Sequence, residues 1–134
     1  IKVMKAKYIC PSCGGILNVD DNVVLIGKNE KGQRGLVLLH TELGNYESHV
    51  CASLTPDKGE SIDFSCPYCH SNIDYHKEKT DLAMMLSVDN KGRKSKVLFS
   101  KIYGEECTYH FDDNAIKTYG EFSKKYMDPE WYLK

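Results

Sequence analysis

Apolar positions along this chain come in short runs broken by glycine-bearing turns, the pattern of strands joined by tight connections. Residues 23–27 form a first run, "NEKG" at 29–32 a turn, and 36–43 a second run; Gly44 and Asn45 turn again before a third run at 46–54. The same order returns at 83–88, the turn "DNKG" at 89–92, 96–103, Gly104 and 107–111. Each series predicts a three-stranded β-meander. Between them, "TPDKGES" at 55–61 reads as a loop leading into a strand at 62–65.

The two series align at a constant offset of 60: Asp21 with Asp81, Lys31 with Lys91, Gly32 with Gly92, Val37 and Leu38 with Val97 and Leu98, Gly44 with Gly104. Ordered coincidence of this kind reads as an internal duplication. The expected organisation is one domain over residues 1–134, made of repeats at 8–54 and 64–111 related by pseudo-two-fold symmetry, with a tail at 112–134. The tail breaks the pattern. Asp112 or Asp113 can cap a helix, Ala115, Tyr119, Phe122 and Tyr126 fall on one helical face, and Asp128-Pro129 would end it. Gly120 weakens that helix by about 1 kcal/mol relative to alanine. The expected fold class is therefore mainly β, two knuckle-plus-meander repeats followed by a short C-terminal helix.

Composition adds limits rather than a function. A chain of 134 residues can bury one core without help. Its 18 Lys and Arg balance 19 Asp and Glu, so no global charge draws it to nucleic acid or a membrane surface. No apolar run has the length of a bilayer span, and the opening "IKVMKAKYIC" lacks a signal peptide's apolar stretch, which points to the cytoplasm and away from membranes.

Six cysteines change the picture. Four of them lie in two matching stretches, "YICPSCGGIL" from Tyr8 and "FSCPYCHSNI" from Phe64, each with Cys-Pro-x-Cys behind an aromatic residue. In a reducing compartment such pairs are read as metal ligands rather than disulfides. Cys10, Cys13, Cys66 and Cys69 supply the four ligands of one tetrahedral zinc site, and hence one zinc per chain. The 52 residues between Cys13 and Cys66 exceed the roughly 15 to 20 of an ordinary two-knuckle site, yet closing a longer loop costs only about 0.6 kcal/mol per doubling. Pro11 and Pro67 fix the bend after each first cysteine, and Gly14 can take the positive φ that turns backbone N–H groups toward sulfur. His70 fills the place of Gly14 in the second knuckle, as a strained turn residue or a substitute ligand; Cys69 beside it already occupies that corner. Lys5, Lys7, Lys77 and Lys79 lie near enough in sequence to offset the charge of a four-thiolate centre. Cys51 and Cys107 do not match under the offset. They read as buried, inert thiols, the alternative being an irregular second site with His49 or His110.

These knuckles resemble the zinc-ribbon superfamily, in which two Cys-x-x-Cys turns on adjoining hairpins share one zinc. The resemblance covers residues 8–17 and 64–73, and it implies ligand roles for Cys10, Cys13, Cys66 and Cys69 alone. "YICPSCGG" is also similar to a rubredoxin knuckle, which would imply iron and electron transfer, although His70 stands where rubredoxins carry a second glycine.

A closed four-thiolate zinc has no open position for water or substrate, and no nucleophile elbow, phosphate loop or His-Glu-x-x-His occurs elsewhere. The expectation is thus a non-catalytic binding module or accessory subunit acting through protein contact. Trp131, Tyr132 and Leu133 in "PEWYLK" would anchor the partner or pack on the chain's own sheet. The alternative partner is nucleic acid, met by the basic stretch "KGRKSKVLFSK" from Lys91 to Lys101.

Overall fold

A computed structural model of the chain describes residues 7–75, 81–111 and 116–120. The described residues form ten strands, of which β3 to β9 lie within or close to the runs that the apolar pattern marks: β1 (Lys7–Ile9), β2 (Asn18–Val19), β3 (Asn22–Lys28), β4 (Arg34–His40), β5 (Ser48–Val50), β6 (Asp63–Ser65), β7 (Leu82–Val88), β8 (Lys94–Ser100), β9 (Thr108–Phe111) and β10 (Ile116–Tyr119). They make two antiparallel sheets. The N-sheet holds β2-β3-β4-β5 with β6 also on β3, and the C-sheet holds β1-β7-β8-β9-β10. The protein is mainly β, and no described residue is helical.

The two meanders pair in the same register. Val24 faces Leu38 where Met84 faces Leu98, and Val37 faces Val50 where Val97 faces His110. The strands that carry the knuckles are exchanged between them. β1 from the first half pairs with β7, Ile9 opposite Leu86, while β6 pairs with β3, Ser65 opposite Ile26. Each sheet is therefore completed by a strand from the other half of the chain.

Alternation along the strands decides which face is buried. On β3 every second residue is buried, with Val23 and Leu25 fully so; on the C-sheet Ala83, Met85, Val97 and Phe99 face them. Tyr8 and Phe64, one from each exchanged strand, complete this shared core, and Phe64 meets Phe99 edge-on with ring centroids 5.4 Å apart. A second cluster, Leu82, Leu98, Cys107 and Tyr109 with Tyr75, belongs to the C-sheet and its flanking segments.

Two expectations need correction. The tail does not begin a helix at 116–119: those residues form β10, with Ile116 opposite Phe111 and Tyr119 opposite Thr108. Ile116, Thr118 and Tyr119 are good strand formers, the exposed edge of β9 supplies a ladder, and Gly120 at φ 98° ends the element in a conformation no right-handed helix admits. The remainder of the expected helix lies outside the described residues. The third strand of the first half is also shorter than its apolar run, because Cys51 to Leu54 close a turn through the Leu54 N–H to the Cys51 carbonyl at 2.9 Å.

Candidate metal centre

Each knuckle grows directly from the end of an exchanged strand. The Cys10 N–H donates to the Gly15 carbonyl and the Gly14 N–H to the Cys10 carbonyl; the second knuckle repeats both bonds with Cys66, Ser71 and His70. Closing such a tight turn needs a left-handed residue after the second cysteine. Gly14 provides it at φ 73°, and His70 adopts it too, at φ 63°. His70 is thus the turn residue of the two readings open to it, and its ring is not among the clustered ligand atoms.

The exchange of β1 and β6 brings the two turns together. The sulfurs of Cys10, Cys13, Cys66 and Cys69 all lie within 4.8 Å of one another, with Cys10 3.8 Å from Cys69 and Cys13 3.7 Å from Cys66. A tetrahedron with zinc–sulfur bonds of about 2.3 Å has edges of about 3.8 Å, so the cross-knuckle separations suit a four-thiolate ion. Backbone donors already point at the sulfurs: Ser12 N–H to Cys10 at 3.3 Å, Gly15 N–H to Cys13 at 3.4 Å and Tyr68 N–H to Cys66 at 3.3 Å. Such bonds orient the ligands and spread their charge.

Burial and hydrogen bonding set two of the thiols apart. Burial pushes the Cys66 thiol up to about 12, whereas hydrogen bonds from Ser71 draw the more exposed Cys69 down to about 6. Four thiolates gathered this closely would repel one another, and a divalent ion at their centre would offset that repulsion. Of the lysines expected to help, Lys7 lies exposed on β1, and Lys5, Lys77 and Lys79 fall outside the described residues.

The knuckles are also joined by a contact the sequence did not reveal. Tyr68, where the first knuckle has Ser12, lays its ring over Gly15 and donates its hydroxyl to the Ile16 carbonyl at 2.7 Å. A Cβ on Gly15 would lie 2.6 Å from Tyr68 Cδ2. The only advance signal was an aromatic residue inside one Cys-x-x-Cys and a glycine pair after the other.

Cys51 and Cys107 take no part in the cluster. Cys107 is buried, as expected, but Cys51 is exposed, because β5 stops at Val50 and leaves the thiol on the turn that follows. There, hydrogen bonds from Ser53 lower its pKa. His49, a candidate partner, is exposed on β5, while His110 shares a 2.8 Å hydrogen bond with Ser95.

The basic stretch from Lys91 to Lys101 is divided by the fold. Arg93 pairs with Asp89 at 2.8 Å, and Lys101 turns inward, its Nζ 2.9 Å from both Asp63 and Asp74. The Lys101 side chain is only 7% exposed; burial alone would lower its pKa, but the two aspartates outweigh that and hold it raised. Lys91, Lys94 and Lys96 remain on the surface. Trp131, Tyr132 and Leu133 lie outside the described residues. No described helix is long and apolar enough to cross a membrane.

Compared with known protein families, with curated proteins and with solved structures, the chain matches none.

Proposed function

We propose that the protein is a small binding module built around one structural zinc, acting through contact with another protein and performing no chemistry at its metal. The observation that carries this is the gathering of the cysteine cluster: four sulfurs within 4.8 Å of one another would use every position around a tetrahedral zinc ion and leave none for water or substrate. Zinc is preferred to iron on the chain's length and on His70 in place of the second glycine that rubredoxins carry. Support for protein contact comes from exposed apolar side chains at and beside the knuckles, Tyr68 at 64%, Val19 at 56% and Ile16 at 47% exposure, together with the aromatic tail sequence around Trp131. The nucleic-acid alternative is weakened, since Lys101 and Arg93 are already engaged by aspartates.

Metal analysis and colour test the first half of this proposal, with one colourless zinc per chain expected and a red, iron-bearing protein refuting it. In-cell crosslinking in the native host tests the second. A partner peptide linked near Tyr68 or the tail, and lost in Tyr68→Ser or Trp131→Ala, is expected. A chain that stays unlinked in every form would refute a role through protein contact.

A further inference from the structure

A cavity of about 350 Å³ opens between the two sheets, along β4 and β8. Its walls come from equivalent segments of the two halves: Val37 and Val97, Leu39 and Phe99, Gly44 and Gly104 lie on both sides. It thus sits between equivalent strands, and none of the four clustered cysteines lines it. The floor is apolar, with Phe64 and Met85 beside the two valines.

The polar groups gather at the mouth, on the connections that follow β4 and β8. Glu42, Glu47, Glu105 and Glu106 stand there, and Glu105 accepts a 2.9 Å bond from the Ser100 hydroxyl. Among the described lining residues, the cations are Lys58 and Lys101, and Lys101 is already held between Asp63 and Asp74. Small-molecule sites combine an apolar hollow of about 300 to 1,000 Å³ with a few polar groups that orient the ligand. Here the hollow has that size and its mouth carries an excess of carboxylates.

We propose that this cavity is a binding site for a small organic cation, an amine with a flat or branched apolar body, the body between the sheets and the ammonium among the glutamates. A carboxylate or phosphate ligand of the same shape would bring like charge to the rim and be rejected. None of the four clustered cysteines lines the site, so the assignment does not rest on which metal, if any, they hold.

Three probes share one apolar body and differ in charge: tryptamine, 3-ethylindole and indole-3-propionate. Titration calorimetry and saturation-transfer NMR on the metal-loaded full chain should show tryptamine binding at least tenfold more tightly than the propionate, with 3-ethylindole between them. The pair Glu47→Gln and Glu106→Gln removes charge without volume and should erase that order. Leu43→Trp, which narrows the cavity from a half-buried lining position on the connection after β4, should weaken all three probes. Equal binding of the three, preference for the propionate, no tryptamine binding at millimolar concentration, or a folded Leu43→Trp that binds as before would each overturn the assignment.

Discussion

Replacing one knuckle cysteine should cost far more than the loss of a buried thiol, because the knuckles end strands that are too short to hold themselves. β1 and β6 are three residues each, every one paired to the opposite half. Without the metal tie their ends are free to peel, and each carries a core aromatic, Tyr8 at 2% and Phe64 at 4% exposure. Re-exposing one such side chain costs about 1.5 to 3 kcal/mol, so local release of both strands costs about 3 to 6 kcal/mol. The upper limit is the metal itself, which contributes about 10 to 16 kcal/mol in small structural sites, against about 5 to 15 kcal/mol for the stability of a whole domain. Cys13→Ser and Cys69→Ser, one from each half, should therefore be equally damaging. The double variant should be little worse than either, since the first loss already opens the site. Cys51→Ala, on an exposed turn, should melt within a few degrees of the parent. Thermal melts of the five proteins, each with and without chelator and each followed by metal analysis, decide the matter. A Cys13→Ser protein that keeps its metal and melts like the parent would refute the shared site, and so would a parent indifferent to chelator.

Lys101→Met should destabilise the fold by about 3 to 5 kcal/mol in urea titrations, by leaving Asp74 partly buried without its cation; adding Asp74→Asn should recover most of that loss. Burial first, then Tyr119, raises Tyr8 to about 12, and Lys101 is also held above its ordinary value; both contributions are complete below about pH 10 and fade as pH climbs through the raised values, so unfolding should set in on the alkaline side, later in Tyr8→Phe. Gly15→Ala should cost about 1 to 3 kcal/mol through its clash with the Tyr68 ring, and much less when Tyr68 is already alanine, which a double-mutant cycle of melts would show. Iodoacetamide should label Cys51 rapidly and Cys107 only on unfolding; mass spectrometry showing the reverse would contradict the burial of the two thiols.

What the sequence made legible followed from local rules. Turn glycines and alternating apolar residues marked β3, β4, β7 and β8, and the offset of 60 anticipated that their registers would match. The Cys-Pro-x-Cys pairs marked the four sulfurs that cluster. What stayed hidden depended on choices between distant partners. Exchange of β1 and β6 buries Tyr8 and Phe64 just as an unexchanged pairing would, so the apolar pattern carries no trace of it. The segment at 116–119 fits helical spacing and a strand equally well, and the open edge of β9 settled it. Lys101 looked like one more cation in a basic run because its two aspartates come from residues 63 and 74.

Charge supplies a reason for the exchange that hydrophobicity does not. In the observed register Asp63 on β6 stands opposite Lys28 of β3, while Lys7 on β1 stands opposite Val88 of β7. Were each knuckle strand to pair within its own half, the equivalent register would set Lys7 against Lys28, a like-charge cross-strand pair that is destabilising, and would leave Asp63 opposite Val88. It would also take Asp63 from the buried Lys101, one of whose two carboxylates it provides. The equivalent positions in the first half are Thr41 in place of Lys101 and Asn18 in place of Asp74, where the Asn18 side chain accepts the Tyr8 N–H at 2.6 Å. The first half thus sets uncharged Thr41 and Asn18 where the other has Lys101 and Asp74, with an exposed Lys7 in place of Asp63, which means that the architecture itself does not require the ion triad. Buried ion pairs add little net stability over such neutral solutions, but they discriminate sharply between right and wrong partners. The Asp63–Lys101–Asp74 triad is therefore best understood as the device that assigns β6 to its place, and with it the second pair of sulfurs to the first.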